Sequence, residues 1–289
     1  MGRVIIKAEG LKKSFDDFEA VKGIDIEVEE GEVFGFLGPN GAGKTTSIRM
    51  LTTMLRPTSG SITINGFGLD KDLTEAKASI GVCQQHISLD KDLTVRQNIK
   101  HHAILHKMPS KEIKPRIGEL SELMELDLHM DKEVAELSGG WKRKASIVCS
   151  IIHRPKILFL DEPTAGLDTK SRHMLWDLIR QLNRMGTTIF LTTHYIEEAE
   201  DLCDRVAILN QGTVVALGSP QELRDSVGRI TVEYSDDKGK KITLQFPDRD
   251  SGKEFMATLK GDTTMSLRKT TLEDVFLIMT GEEYSKGGV

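Results

Sequence analysis

An α/β fold built on a parallel sheet is the expectation from three features of the 289-residue sequence. Val33-Phe34-Gly35-Phe36-Leu37 is a continuous apolar run that feeds into Gly38-Pro39-Asn40-Gly41-Ala42-Gly43-Lys44-Thr45-Thr46, after which Ser47 to Leu55 reads as a helix. Two further apolar runs, Ile157 to Leu160 and Thr188 to Leu191, flank a helical stretch from about Ser171 to Met185. Strand, helix and strand in that order give parallel strands with a ligand at their C-terminal ends.

The remaining elements follow along the chain. Val4-Ile5-Ile6 opens a strand, and Ile24, Ile26 and Val28 alternate with Asp25, Glu27 and Glu29 as in a half-buried antiparallel strand. Ser61 to Ile64 repeats that alternation before an Asn65-Gly66 turn, so the first part mixes an antiparallel β portion with the glycine-rich unit. A strand at Ile80 to Cys83 comes next. From Leu93 the spacing turns helical, with Thr94 and Gln97 placed as a capping box, and a charged stretch through about Met130 reads as a helical insertion spanning about 86–152. After Gly218 the character changes. Ser219-Pro220-Gln221-Glu222 starts a helix; strands at Ile230 to Tyr234 and Ile242 to Phe246 flank a polar turn at Asp236 to Lys240. A helix near Lys253 to Leu259, a strand near Met265 to Arg268 and a helix from Leu272 to Met279 complete a small C-terminal α/β module. The expected division is 1–220 for the main unit and 221–289 for an accessory domain.

With 38% hydrophobic residues the chain can bury a full core. A net charge of −5 offers no basic stripe and argues against nucleic acid as the main partner. Cys83, Cys149 and Cys203 are widely spaced and contain no C-x-x-C pair, as in a reducing cytosol. The apolar runs are too short to span a bilayer, so a membrane role would require another chain.

The residues from Gly38 to Thr46 match the full P-loop pattern in its strand-to-helix context. Successive N–H groups of Gly38, Asn40, Gly41, Ala42 and Gly43 can converge on phosphate oxygens at a helix start. Lys44 supplies a point charge for the β/γ-phosphates, Thr45 a hydroxyl ligand for Mg²⁺, and Thr46 lies beside it at the helix start. Asp161-Glu162, at the end of a buried strand, is a Walker B arrangement. Asp161 is expected to hold Mg²⁺, and Glu162 to orient or deprotonate the attacking water. His194 ends the next strand at the same sheet edge, within reach of a γ-phosphate.

Leu137-Ser138-Gly139-Gly140-Trp141 places a hydroxyl and two unobstructed N–H groups at a helix start, a second anion cradle that one nucleotide cannot easily share with the first. With this motif the chain resembles the ATP-binding cassette (ABC) ATPases over roughly its first 220 residues, and among them the subunits of drug-resistance type exporters. The resemblance implies a P-loop NTPase fold of the ABC type, with an antiparallel β subdomain and a helical insertion. It also implies a head-to-tail, ATP-dependent dimer, read here as a homodimer, in which Ser138, Gly139 and Gly140 close over ATP on the P-loop of the other protomer. Further family positions are Gln85, a Q-loop ligand of Mg²⁺ or water with Gln84 as the competing register, and Gly166-Leu167-Asp168, a D-loop. Phe15 is the adenine-stacking aromatic, with Phe18 as competitor and a core position as the alternative. Trp141 departs from the family's Gln. The implied function is ATP hydrolysis powering export through a separate transmembrane permease, with the chain cytoplasmic and peripheral on the membrane. Soluble ABC proteins acting on ribosomes or DNA, and small-molecule kinases, are the rival readings. His102 and His106, spaced i, i+4, read as a solvated helix rather than a metal site, and Lys142-Arg143-Lys144 as a helix face near the signature motif.

Overall fold

The computed structural model describes residues 2–235, 239–259 and 265–281. A long antiparallel hairpin of β1 (Val4–Phe15) and β2 (Phe18–Glu29) begins the fold, and the alternation noted in β2 buries Ile24, Ile26 and Val28. Every residue of β3 (Val33–Leu37) is buried, and the glycine-rich loop carries it into α1 (Lys44–Leu51). This helix starts and ends earlier than the expected Ser47 to Leu55, because its first turn grows directly out of the loop and Thr53, at φ 65°, stops it. Asn65 and Gly66 both have positive φ (51° and 85°) in the turn that joins β4 (Ser59–Ile64) to β5 (Phe67–Gly68).

The chain continues through α2 (Leu73–Ala78) and β6 (Ile80–Cys83) into α3 (Val95–Leu105), α4 (Ser110–Leu123) and α5 (Gly139–Ile151). The capping box of Thr94 and Gln97 forms at the start of α3. Next come β7 (Ile157–Asp161), α6 (Thr169–Arg184), β8 (Thr188–Thr193), α7 (Ile196–Leu202), β9 (Arg205–Asn210) and β10 (Thr213–Gly218). The last part holds α8 (Pro220–Val227), β11 (Ile230–Ser235), β12 (Lys241–Phe246), α9 (Arg249–Thr258), β13 (Met265–Lys269) and α10 (Leu272–Thr280). The expected polar turn at Asp236 to Lys240 lies mostly outside the described residues.

Three sheets result. Strands β2-β1-β4-β5 form an antiparallel sheet, and β12-β11-β13 another. Between them in sequence, β10-β9-β3-β8-β7-β6 make a six-stranded sheet that is parallel except for β10. Alternation within β3, β7 and β8 gives the central sheet two apolar faces. Phe34, Phe36, Phe159 and Phe190 pack on the side of the antiparallel sheet, with Phe36 and Phe190 centroids 4.9 Å apart in an edge contact. Leu37, Leu158, Leu160 and Leu191 face the helices on the other side. Leu223 of α8 and Leu272, Val275 and Phe276 of α10 join that second cluster. The β11 sheet is tied to α10 by Arg268, which bonds both Asp274 (2.6 Å) and Glu233 (2.7 Å). The C-terminal ends of β3, β6, β7 and β8 come to one edge, and the polar residues of interest follow those ends.

Candidate active site

The loop after β3 has a shape that only glycine permits at Gly43. Its φ is 101°, and an added Cβ would stand 2.8 Å from the Ala20 carbonyl oxygen. That close approach also brings the β1–β2 hairpin against the loop. Lys44 is buried and folds back across the loop, donating to the carbonyls of Gly38 (2.7 Å) and Pro39 (3.1 Å). Burial lowers the pKa of its ammonium group, against the opposing pull of Glu162 and Asp161. Gly38 and Ala42 are buried, whereas Asn40 and Gly41 are exposed at the loop's outer side. Thr45 and Thr46 are half-buried in the first turn of α1, and the Thr45 hydroxyl donates to Asp161 Oδ1 at 3.5 Å.

Three side chains predicted separately meet at one carboxylate, that of Glu162. Glu162 Oε2 accepts from Gln85 Nε2 at 3.1 Å and lies 3.3 Å from His194 Nδ1, while Oε1 is 3.6 Å from Lys44 Nζ. Gln84 instead turns its amide toward Met54, so Gln85 is the glutamine that reaches the carboxylate. Glu162 has left-handed backbone, φ 44°, a strained state for a residue with a Cβ. Its N–H donates to the carbonyl (3.1 Å) and hydroxyl (3.0 Å) oxygens of Thr192. The same hydroxyl donates to Asp161 Oδ1 at 2.6 Å. Burial pushes the Asp161 carboxyl above its ordinary value, and the Thr192 hydrogen bond works against that rise.

A hard cation fits the donors here. Among the described residues no group of three His, Cys, Asp or Glu could hold a metal alone. Thr45, Asp161 and Gln85 offer only oxygen ligands, including a single carboxylate, and phosphate oxygens would have to complete the shell, which suits Mg²⁺.

The second cradle opens α5. Ser138 is its N-cap, exposed and without a capping bond from its side chain, so the hydroxyl is available to an outside anion. Gly139 is exposed, whereas Gly140 is buried where an added Cβ would stand 2.6 Å from Ser171 Oγ, which lets α5 pack closely on α6. Among the described residues no hydrogen bond joins these three to Lys44, Asp161 or Glu162. Trp141 is half-buried, its ring 4.1 Å from that of His129 and under the Lys144 ammonium group. Phe15 is 45% exposed beside Lys13 and Phe18 is 64% exposed, so both are free to stack and neither is a core aromatic.

Lys142-Arg143-Lys144 lies on the helix that follows the signature motif, but Arg143 and Lys144 are buried, because the side of α5 carrying them packs inward. His106 stacks on His153 with centroids 3.6 Å apart, and His102 is half-buried. Sequence reasoning also missed Thr192 and Glu198. The signal for the first was a polar residue inside an apolar strand. Glu198, fully buried on α7, accepts from Thr164 (3.0 Å) and Trp176 (3.1 Å) and so ties the segment after Glu162 to α6 and α7.

The sequence pattern of the ABC transporter family matches residues 21–165. The chain belongs to that family. It is 39% identical over 307 residues to the Nod factor export ATP-binding protein I of Rhizobium sp. (strain N33), covering 99% of this chain and 100% of the relative. It is 35% identical to the daunorubicin resistance ATP-binding protein DrrA3 of Streptomyces coeruleorubidus, with 98% of each chain covered. Among solved structures, cbiO1 of Clostridium perfringens, part of the ABC transporter complex cbiONQ, superposes with TM-score 0.71 at 32% identity, covering 76% of this chain and 90% of that one. A dimeric post-hydrolysis ATP-binding cassette bound to ADP and Pi superposes with TM-score 0.67 at 26% identity, covering 74% and 98%. This ABC protein is thus an ATP-binding subunit and an ATPase, with the cassette fold expected from its motifs. A soluble cassette working on ribosomes or DNA is not favoured by these relatives. Among the described residues no helix is long and apolar enough to cross a membrane.

Proposed function

We propose that this ABC ATPase powers export through a separate transmembrane permease, docked on the cytoplasmic face of the membrane, and that two copies pair head to tail around two ATP molecules. Export is in the name of one relative that matches nearly its whole length, and drug resistance in that of another. The single observation that carries the hydrolytic assignment is the convergence of Gln85, His194 and Lys44 on the Glu162 carboxylate. Lys44 exchanges its two loop carbonyls for β/γ-phosphate oxygens when nucleotide enters. Phe15 stacks on the adenine, and the N–H groups from Gly38 to Thr46 surround the phosphates. Thr45, Asp161 and Gln85 would hold Mg²⁺, which would supply positive charge against the phosphate oxygens. Glu162 orients a water and takes its proton as the water oxygen bonds to the γ-phosphorus. The bond from that phosphorus to the β,γ-bridging oxygen breaks, leaving ADP and phosphate. His194 holds the γ-phosphate by hydrogen bonding. Ser138, Gly139 and Gly140 of the second protomer close the pocket, and its reopening after hydrolysis resets the permease. Residues 1–220 form the nucleotide-binding unit in this reading and 221–289 an accessory unit.

Glu162→Gln tests it. The variant keeps ATP binding, loses about 100-fold or more in turnover, and runs as a dimer with MgATP in size-exclusion chromatography. Turnover near wild type would remove Glu162 from the water-orienting role. A strictly monomeric variant, alone and with a co-purified membrane protein, would remove the paired-site reading.

A further inference from the structure

Arg143 is 3% exposed, and all its hydrogen bonds go to main-chain carbonyls. Its Nε donates to Pro163 O at 2.8 Å. Nη2 donates to Asp161 O at 2.8 Å and Glu162 O at 3.1 Å. Nη1 donates to Gln85 O at 3.2 Å and to Gln84 O. A buried cation satisfied only by carbonyl dipoles is costly to keep, and filling a planar arc of acceptors requires the fixed fork of a guanidinium.

Both gripped segments belong to the hydrolytic site. One carries Gln85; the other carries Glu162, whose left-handed backbone needs its surroundings to hold it. Their side chains meet at 3.1 Å on one side, and Arg143 joins their backbones on the other. The arginine rides on α5, the helix whose first residues follow Ser138, so a single rigid element presents the signature motif and fixes the catalytic backbone.

We propose that Arg143 is a positioning residue that sets the Glu162 carboxylate and the Gln85 amide in hydrolytic register with each other and with the signature helix. The proposal rests on the role assigned above to Glu162. Arg143 is buried and spends its donors on main-chain carbonyls, so its loss acts on the chemical step rather than on binding.

The test uses the full chain carrying Arg143→Lys or Arg143→Gln, with Glu162→Gln alongside. Steady-state hydrolysis gives kcat and KM, a fluorescent ATP analogue gives affinity, and circular dichroism reports the fold. A misplacement of the reacting groups predicts that kcat falls about 100-fold in both variants while KM and analogue affinity stay within about threefold of wild type. Lys, which keeps the charge but not the fork, should do no better than about tenfold above Gln. Wild-type kcat in folded Arg143→Lys and Arg143→Gln, beside an inactive Glu162→Gln, overturns the proposal alone. Affinity falling in step with kcat, or failure of both variants to fold, makes Arg143 a structural residue and also overturns it. An active Glu162→Gln refutes the role of Glu162 and this proposal with it.

Discussion

Thr192→Val isolates one hydroxyl in the fully buried strand behind the site. That hydroxyl donates to Asp161 Oδ1 at 2.6 Å and accepts from the Glu162 N–H at 3.0 Å. Valine has nearly the same shape, so no cavity forms and the loss is polar. The Glu162 N–H keeps the Thr192 carbonyl at 3.1 Å, which leaves Asp161 as the group deprived of its donor. A hydrogen bond to a charged group contributes about 1.5–3 kcal/mol, and the weaker Thr45 contact at 3.5 Å remains, so about 2 kcal/mol is expected at neutral pH. For a chain of 289 residues that lowers the melting midpoint by about 3 °C. The pH dependence has a definite sign. Burial raises the folded-state pKa of Asp161 above its unfolded value, so stability is greatest below the unfolded pKa and is lost as pH rises through the folded one. Removing the Thr192 bond raises the folded pKa further, so the penalty of the variant grows with pH. Thermal and urea melts of wild type and variant at about pH 5 and about pH 8 measure it. A penalty under about 0.5 kcal/mol at the higher pH, or one that shrinks as pH rises, would refute the reasoning.

Ser138→Arg puts a bulky cation on the exposed second cradle; hydrolysis should fall about 100-fold or more while binding of one ATP per isolated protomer stays close to wild type, and unchanged hydrolysis would exclude a shared pocket. His153 stacks on His106, and its Nε2 meets the Ile80 carbonyl at 3.0 Å; burial pushes its pKa down to about 4 from 6.5. A histidine with a lowered folded pKa contributes stability above 6.5 that is lost as pH falls toward 4, so His153→Asn should flatten that part of the stability profile. Urea titrations at several pH values in that window read the slope, and an unaltered slope would assign the titration elsewhere.

The sequence by itself determined what depends on near neighbours. The P-loop from Gly38 to Thr46, the capping boxes at Thr94 and Ser219, the Asn65-Gly66 turn and the alternation of Ile24, Ile26 and Val28 are each set within a few residues, and all appear as expected. The ends of the buried strands were legible as well, which is why Asp161, Glu162 and His194 could be assigned to one sheet edge before their contacts were known. Tertiary structure decided what depends on facing directions. Two adjacent glutamines have the same local character, and only the packing of β6 beside β7 sends Gln85 rather than Gln84 to Glu162. Three consecutive basic residues read as a helix face, and only the packing of that helix buries Arg143 and Lys144 against the core. Strands β9 and β10 drew no notice from their own residues, yet β9 pairs with β3 and completes the sheet. The cause is common to these cases: local periodicity reports that a residue lies in a helix or strand, whereas its partners come from segments far along the chain and are fixed only when the layers close.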